Sequence, residues 1–76
     1  MTEQEWRERF AKQLKIKMRN RNVDQRELAR RINVSEISIS RYRKARRTPP
    51  AHILVDMAIA LECTVDELAN FGELVE

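Results

Sequence analysis

Two short stretches of the chain between residues 24 and 43 each carry the signals that begin and end an α-helix. The first opens with Asp24, three residues before Glu27 in the spacing of a capping box, and it ends at Asn33, a residue type that tolerates a left-handed turn. The second opens with Ser35, a favoured N-cap residue. The pattern predicts two helices of about eight residues joined by a turn of about three.

The second stretch also alternates polar and apolar residues over positions 35–40, as a strand does. We favour a helix because Val34, Ile39 and Tyr42 need only one inward face. The stretch also lies between two other segments that carry helix-capping signals, which favours a helix here too.

The N-terminal stretch repeats a large apolar residue at every fourth position: Trp6, Phe10, Leu14 and Met18. This spacing places the four side chains on one face of a helix over about residues 3–20, where we expect them to form core. With one glycine and two prolines, the chain has few of the turn signals that hairpins and sandwiches need. Helices joined by short turns are the remaining architecture.

Two further helices are expected after the proline pair. Proline is tolerated in a first helical turn, so Pro49 and Pro50 predict a fourth helix that runs to about Leu61. Thr64 and Glu67 form a second capping box, at the start of a short fifth helix. We therefore predict an all-α fold of five helices, with one domain over residues 1–70 and a short apolar and acidic tail over residues 71–76.

Charge is strongly polarised along the chain. All fifteen Lys and Arg residues lie between Arg7 and Arg47, where only four acids occur, so this stretch carries a net charge of +11. Residues 48–76 contain six acids and no Lys or Arg. If the basic side chains converge in space, they form the positive surface that is typical of nucleic-acid binders. The alternative interpretation is an ordinary solvated helical surface.

Other classes of protein are disfavoured by the residue types present. Cys63 and His52 are the single Cys and His, too few for a disulfide framework or a metal site, and we expect a small core residue and a surface residue. Without a Gly-rich phosphate loop, the residues for an enzyme are missing, and we expect no cofactor or small-molecule ligand. No signal-peptide pattern and no apolar run of ~20 residues occurs, so we expect a cytoplasmic protein that contacts no membrane.

Residues 24–43 have the proportions of a helix-turn-helix. An α-helix fits the major groove of DNA, where each base pair displays a distinct pattern of donors and acceptors. The first helix of such a unit crosses the DNA backbone and braces the second, whose N-terminal residues meet base edges. This shape, within the basic stretch, indicates binding to a double-stranded DNA operator.

Several blocks of the sequence occur in one order and spacing: Asp24-Gln25-Arg26-Glu27-Leu28-Ala29, Ile32-Asn33-Val34-Ser35, Ile39-Ser40-Arg41-Tyr42, Arg46-Arg47-Thr48-Pro49, Ala58-Ile59-Ala60-Leu61 and Thr64-Val65-Asp66-Glu67-Leu68. Over about residues 10–70 the chain thereby resembles the phage-repressor family, the Xre/Cro-type, lambda-repressor-like helix-turn-helix proteins. The resemblance implies a compact five-helix bundle whose third helix is the recognition helix. It also implies a small transcriptional regulator, a repressor of phage or mobile-element type.

The resemblance assigns roles to the residues at the family's DNA-facing positions. Arg41 suits guanine O6 and N7, Glu36 suits cytosine N4, and Ile37 suits a thymine methyl group. Gln25 and the residues after the third helix would bind phosphate. The implied base-reading residues are Glu36, Ile37, Ser38, Ser40 and Arg41, and the implied phosphate-binding residues are Gln25, Arg43, Lys44, Arg46, Arg47 and Thr48.

Three positions depart from the usual family pattern. Asn33 and Ala45 stand where glycine is common, and Asn adopts a left-handed conformation more readily than Ala. We therefore expect the third helix to end differently or to run on slightly, which would shift the phosphate contacts. Arg43 stands where many members carry an acid or a small residue, and it predicts stronger binding to the DNA backbone.

The apolar tail predicts a protein contact. Phe71, Leu74 and Val75 are the expected dimer surface of a homodimer, in which two recognition helices enter successive major grooves about 34 Å apart. The main alternative is the antitoxin half of a toxin–antitoxin pair, or another protein-interaction module with this fold, which would bind its partner through the same tail.

Overall fold

A computed structural model describes residues 1–69 of the chain, and five α-helices account for most of them. Their bounds are α1 Glu3–Asn20, α2 Gln25–Ile32, α3 Glu36–Arg43, α4 Ala51–Ala60 and α5 Val65–Ala69. No strand occurs among these described residues. The all-α class and the five helices are thereby confirmed, including the helix over the alternating stretch. The expected dimer contacts Phe71, Leu74 and Val75 lie outside the described residues.

The core is built on the predicted inner face of α1. Phe10 and Leu14 are fully buried, and Trp6 packs at the edge of the core. The ring of Phe10 stacks on Trp6 at a centroid distance of 5.3 Å and meets Tyr42 of α3 edge-on at 6.4 Å. These ring contacts hold α3 against α1. The rest of the buried cluster is Met18, Val23, Leu28, Ala29, Ile32, Ile39, Ile53, Met57, Ala58, Leu61 and Leu68.

Capping side chains begin α2 and α3 at the predicted residues. Oδ1 of Asp24 accepts from the N–H of Glu27 at 2.8 Å. In the same way, Oγ of Ser35 accepts from the N–H of Ser38 at 3.1 Å. The capping box at Asp24 is only half formed, because the carboxylate of Glu27 binds Arg30 at 2.8 Å and lies 3.4 Å from Nε of Arg31. Charge-assisted bonds to guanidinium groups are stronger than a bond to a neutral, exposed amide.

A complete capping box begins α5, as predicted. Oγ1 of Thr64 accepts from the N–H of Glu67 at 3.0 Å, and the Glu67 carboxylate accepts from the N–H of Thr64 at 3.1 Å. The same carboxylate accepts from Nζ of Lys17 at 2.9 Å, which joins α5 to α1. These hydrogen bonds, the one from Lys17 foremost, lower the pKa of Glu67 to about 2. Cys63 packs half-buried against the core, and this burial raises the pKa of its thiol.

A left-handed residue that is not glycine follows the end of each of four helices: Asn22, Asn33, Ala45 and Glu62. After each of these residues the next amide donates to a carbonyl five residues earlier, at 2.9–3.0 Å. This is the bonding of a Schellman motif, which satisfies carbonyls that a helix end would otherwise leave unpaired. The same C-terminal motif therefore ends α1, α2, α3 and α4.

The expectation that α3 would end differently at Ala45 is wrong. Ala45 has φ of 59°, and the N–H of Arg46 donates to the carbonyl of Arg41 at 2.9 Å, as it would after a glycine. The side-chain amide of Gln4 in α1 also donates to the carbonyl of Ala45 at 3.3 Å. Tertiary contact and the Schellman bonds thus offset a left-handed conformation that costs an L-residue roughly 1–2 kcal/mol. The loop after α3 consequently starts where a glycine would start it.

Ala45→Gly should stabilise the fold by about 0.5–1 kcal/mol, because glycine removes the left-handed penalty while adding some unfolded-state entropy. For a domain of this size such a gain raises the thermal midpoint by several degrees, on the order of 4 °C. Ala60→Gly, within the right-handed conformation of α4, is the matched control and should lower the midpoint. Thermal unfolding followed by circular dichroism measures both, and a lower midpoint for Ala45→Gly would contradict the assignment.

Candidate nucleic-acid interface

The two helices α2 and α3 form the predicted helix-turn-helix, with Asn33 in its turn. Ile39 and Tyr42 of α3 are buried against the rest of the bundle. The helical period therefore directs the opposite side of α3 outward, and Ile37 and Arg41 are exposed there. α3 thus presents one face to the core and another to solvent.

The outward face of α3 borders a concavity of about 710 Å³, which we call the recognition groove. The N-terminus of α2 and the loop after α3 complete its walls. It is lined by Gln25, Glu36, Ile37, Ser40, Arg41, Lys44, Arg46 and Arg47. The structure thus gathers on one surface eight of the eleven residues that the sequence assigned to DNA contact.

Ile37 is a large apolar side chain that core packing does not explain. It is 63% exposed, whereas Ile39 in the same helix is completely buried. A single exposed hydrophobic residue is common on protein surfaces, so its exposure alone indicates little. Its place in the groove beside Ser40 and Arg41 gives it a chemical use, since thymine presents a methyl group in the major groove.

Gln25 begins α2 and is held by α3. Nη1 of Arg43 donates to Oε1 of Gln25 at 3.2 Å. With its oxygen engaged, the amide of Gln25 keeps its NH₂ group as a donor toward the groove. Nε of Arg43 is buried and has no hydrogen-bond partner within the described part of the chain. Arg43 is half-buried, and through this bond it holds Gln25 in place at the edge of the groove.

Ser38 and Thr48 lie outside the recognition groove. Oγ of Ser38 accepts from Oγ of Ser35 at 3.0 Å, within the cap of α3. Oγ1 of Thr48 donates to Glu3 at 2.8 Å and accepts from Nε of Arg7 at 2.9 Å. A phosphate contact by Thr48 would have to compete with both of these bonds to α1. Both residues remain predicted DNA contacts.

α1 adds basic residues to this surface, and none of them was among the DNA contacts predicted from the sequence. A second concavity of about 550 Å³ is here called the α1 cleft. Its basic lining residues are Lys12, Lys15 and Arg19 of α1, Arg43 at the end of α3, and Lys44 after α3. The three α1 residues are spaced i, i+3 and i+7, which places them on one helix face. That spacing was the available signal in the sequence.

Two acidic residues after α4 pair with basic residues that lie on a different face of α1 and just after this helix. Nζ of Lys17 lies 2.9 Å from the Glu67 carboxylate, and Nη1 of Arg21 lies 3.7 Å from that of Glu62. Glu67 and Glu62 therefore neutralise Lys17 and Arg21, and no acid after α3 among the described residues lines the recognition groove or the α1 cleft. The polarisation that the sequence showed along the chain is in this way also a separation in space.

Two further findings on the described residues concern metal binding and membrane spanning. No group of three or more His, Cys, Asp and Glu side chains is placed to hold a metal ion within residues 1–69. None of the helices in this part of the chain is both long enough and apolar enough to span a bilayer.

A family model described as Helix-turn-helix matches residues 14–68, from the middle of α1 into α5 and over more than half of the chain. The matched stretch contains all of α2, α3 and α4 and every residue of the recognition groove. Neither a curated protein nor a solved structure matches the chain significantly.

Proposed function

The chain belongs to the Xre/Cro and lambda-repressor-like helix-turn-helix family, whose members are DNA-binding regulators, and on that premise we propose that it represses transcription by binding a short operator through α3. The observation that carries the proposal is the recognition groove. An exposed Ile37 and Arg41 lie there on the outward face of α3, beside the basic residues of the following loop. Such a phage-type repressor acts in the cytoplasm, on nucleoid DNA.

Base reading falls to the residues on the outward face of α3. Arg41 donates two hydrogen bonds to guanine O6 and N7, and Ile37 contacts a thymine methyl group. Glu36 at the start of α3 accepts from cytosine N4 and repels misplaced phosphates, which disfavours wrong sequences. Ser40 and Ser38 supply hydroxyl groups that suit either partner of a base pair.

Phosphate binding falls to the rim of the groove. The Gln25 amide at the N-terminus of α2 donates to a phosphate that the helix end also attracts. Further contacts to the DNA backbone come from Lys44, Arg46 and Arg47 on the rim, and from Arg43 at the end of α3 and Thr48 beyond the groove. These contacts fix the position of α3 in the major groove without reading sequence.

We further propose that the protein binds as a homodimer. A two-fold axis places two copies of α3 in successive major grooves about 34 Å apart, so the operator carries two inverted half-sites. Phe71, Leu74 and Val75 are the proposed dimer contacts. Sedimentation of the protein with its operator should give two chains per duplex, and one chain on an asymmetric site would contradict the dimer.

A second function, as an antitoxin, gains support from α4. Val55 is 45% exposed and Ile59 is 71% exposed, and neither lines the recognition groove. Exposed apolar residues away from the DNA-binding surface fit a protein partner. A toxin-encoding reading frame beside the gene would favour this role over that of a repressor acting alone.

Selection of bound sites from random duplex DNA tests the main proposal most directly. We expect enrichment of a short inverted repeat, and the selected half-sites should contain a guanine that depends on Arg41. Recovery of random sequences after several rounds, from protein whose folding is verified, would show that the groove binds DNA without reading it.

Arg46→Ala should weaken binding to all sequences alike, since its side chain lies on the basic rim of the groove. Loss of one phosphate contact reduces the slope of log K against log salt by about 0.9. Arg30→Ala is the control: its side chain is 73% exposed, pairs with Glu27 and lines no part of the groove. Fluorescence anisotropy at several salt concentrations measures both variants, and a changed base preference for Arg46→Ala would contradict its assignment.

A further inference from the structure

We propose that the α1 face carrying Lys12, Lys15 and Arg19 is a second binding site for DNA phosphodiester groups, outside the base pairs that α3 reads. This inference rests on the proposed function, since it enlarges the DNA contact of the same molecule. It adds α1 to a surface that the sequence had confined to α2, α3 and the following loop.

The first support is the continuity of the surface. A third concavity of about 440 Å³ lies between the recognition groove and the α1 cleft. It shares Gln25 and Arg46 with the groove, Lys15 and Arg43 with the cleft, and Lys44 with both. A polyanion seated against α3 therefore meets an unbroken series of basic side chains that leads to α1.

The second support is the lack of internal partners for these charges. Within residues 1–69, Lys12, Lys15 and Arg19 take part in no ion pair, whereas Lys17 on another face of α1 and Arg21 just after this helix each lie beside a carboxylate. Glu8 is the acid that lines the cleft, against five basic residues. Like charges held in one concave surface repel one another, and a bound phosphodiester relieves that repulsion.

The third support is the way the fold holds the cleft together. Gln4 of α1 donates to the carbonyl of Ala45, and Thr48 bonds to Glu3 and Arg7 of the same helix. The loop after α3 is thus fastened to the N-terminal half of α1, and the two basic segments keep a fixed spacing. A duplex that docks on α3 therefore meets α1 without a rearrangement of the protein.

The end of α1 and the residue that caps it offer a matched control for the experiment. Lys12→Gln/Lys15→Gln removes two charges from the cleft, and Lys17→Gln/Arg21→Gln removes two charges that pair with acids. Both variants lose the same net charge, so any difference between them reports position. Thermal unfolding verifies that each variant is folded at the temperature of the binding measurement.

Binding is measured for two duplexes as a function of salt: the selected operator with six extra base pairs at each end, and the operator trimmed to the selected positions. On the long duplex, Lys12→Gln/Lys15→Gln should bind roughly tenfold more weakly and lose about 2 from the slope of log K against log salt. On the trimmed duplex, Lys12→Gln/Lys15→Gln should have the same affinity and salt slope as the original protein. The control variant should have the affinity and slope of the original protein on both duplexes.

Equal slopes for the cleft variant and the original protein on the long duplex would overturn the proposal. An equal loss on both duplexes would overturn it too, because the contacted phosphates would then lie within the sequence that α3 reads. Failure of the proposed function is distinguishable from either outcome. In that case the original protein itself would not discriminate the selected operator from random duplex DNA.

Discussion

Arg41→Ala will lower the affinity for the selected operator by roughly 1–3 kcal/mol and relax the preference at one base pair in each half-site. The reason is geometric, because Arg41 projects from the exposed side of α3 into the recognition groove, next to Ile37 and Ser40. A guanidinium group there can donate two parallel hydrogen bonds to one guanine, a pattern that no other base pair offers in the same place.

The measurement compares the original protein and Arg41→Ala on the operator and on its single-base variants. The original protein should discriminate against every change at the contacted guanine, and the variant should accept them nearly equally. Arg46→Ala provides the comparison, since it removes the same charge from the rim and should leave the order of preference intact. Equal weakening of all duplexes by Arg41→Ala would reassign Arg41 to phosphate binding.

Phe10→Ala will destabilise the fold by about 3–5 kcal/mol, a large part of the total stability of a small domain. Phe10 has no exposed surface, and its ring lies between Trp6 and Tyr42. Its removal leaves a cavity and also removes the contact through which α1 supports α3. We therefore expect the loss of stability to be accompanied by weaker operator binding.

Denaturant unfolding followed by circular dichroism measures this loss. Ile59→Ala is the control, because its side chain is 71% exposed and its removal should change the free energy of unfolding by less than about 0.5 kcal/mol. Phe10→Leu keeps most of the apolar volume and should lie between the two. A Phe10→Ala midpoint close to that of Ile59→Ala would show that the aromatic contact contributes little.

Local chemistry made much of this fold predictable. Asp24, Ser35 and Thr64 each cap a helix because a short side-chain oxygen can reach the amides of the first turn wherever it precedes a helix-forming stretch. The apolar repeat of α1 likewise determines one buried face from spacing alone. The recognition groove followed from these local features, since burial of Ile39 and Tyr42 requires the rest of α3 to turn outward.

Contacts between distant residues were not predictable in the same way. The conformation of Ala45 depends in part on Gln4, and the hydroxyl of Thr48 is engaged by Glu3 and Arg7, all of them more than forty positions away. Pairings over such separations are set by how the helices pack, which neither capping nor periodicity specifies. For the same reason, the sequence showed that α1 is basic without showing which of its faces adjoins α3.

The pairing of Lys17 with Glu67 and of Arg21 with Glu62 gives the molecule an electric dipole that its net charge of +3 conceals. Positive charge is concentrated around α3 and the α1 cleft, where basic residues outnumber the lining acids Glu36 and Glu8, while Asp56 on α4 and Asp66 on α5 add negative charge elsewhere. Near DNA, the field of the phosphates therefore exerts a torque that rotates the recognition face toward the duplex. A protein that is already oriented when it reaches the duplex needs less time to find the position in which α3 enters the major groove. Added salt diminishes this advantage because it screens the torque.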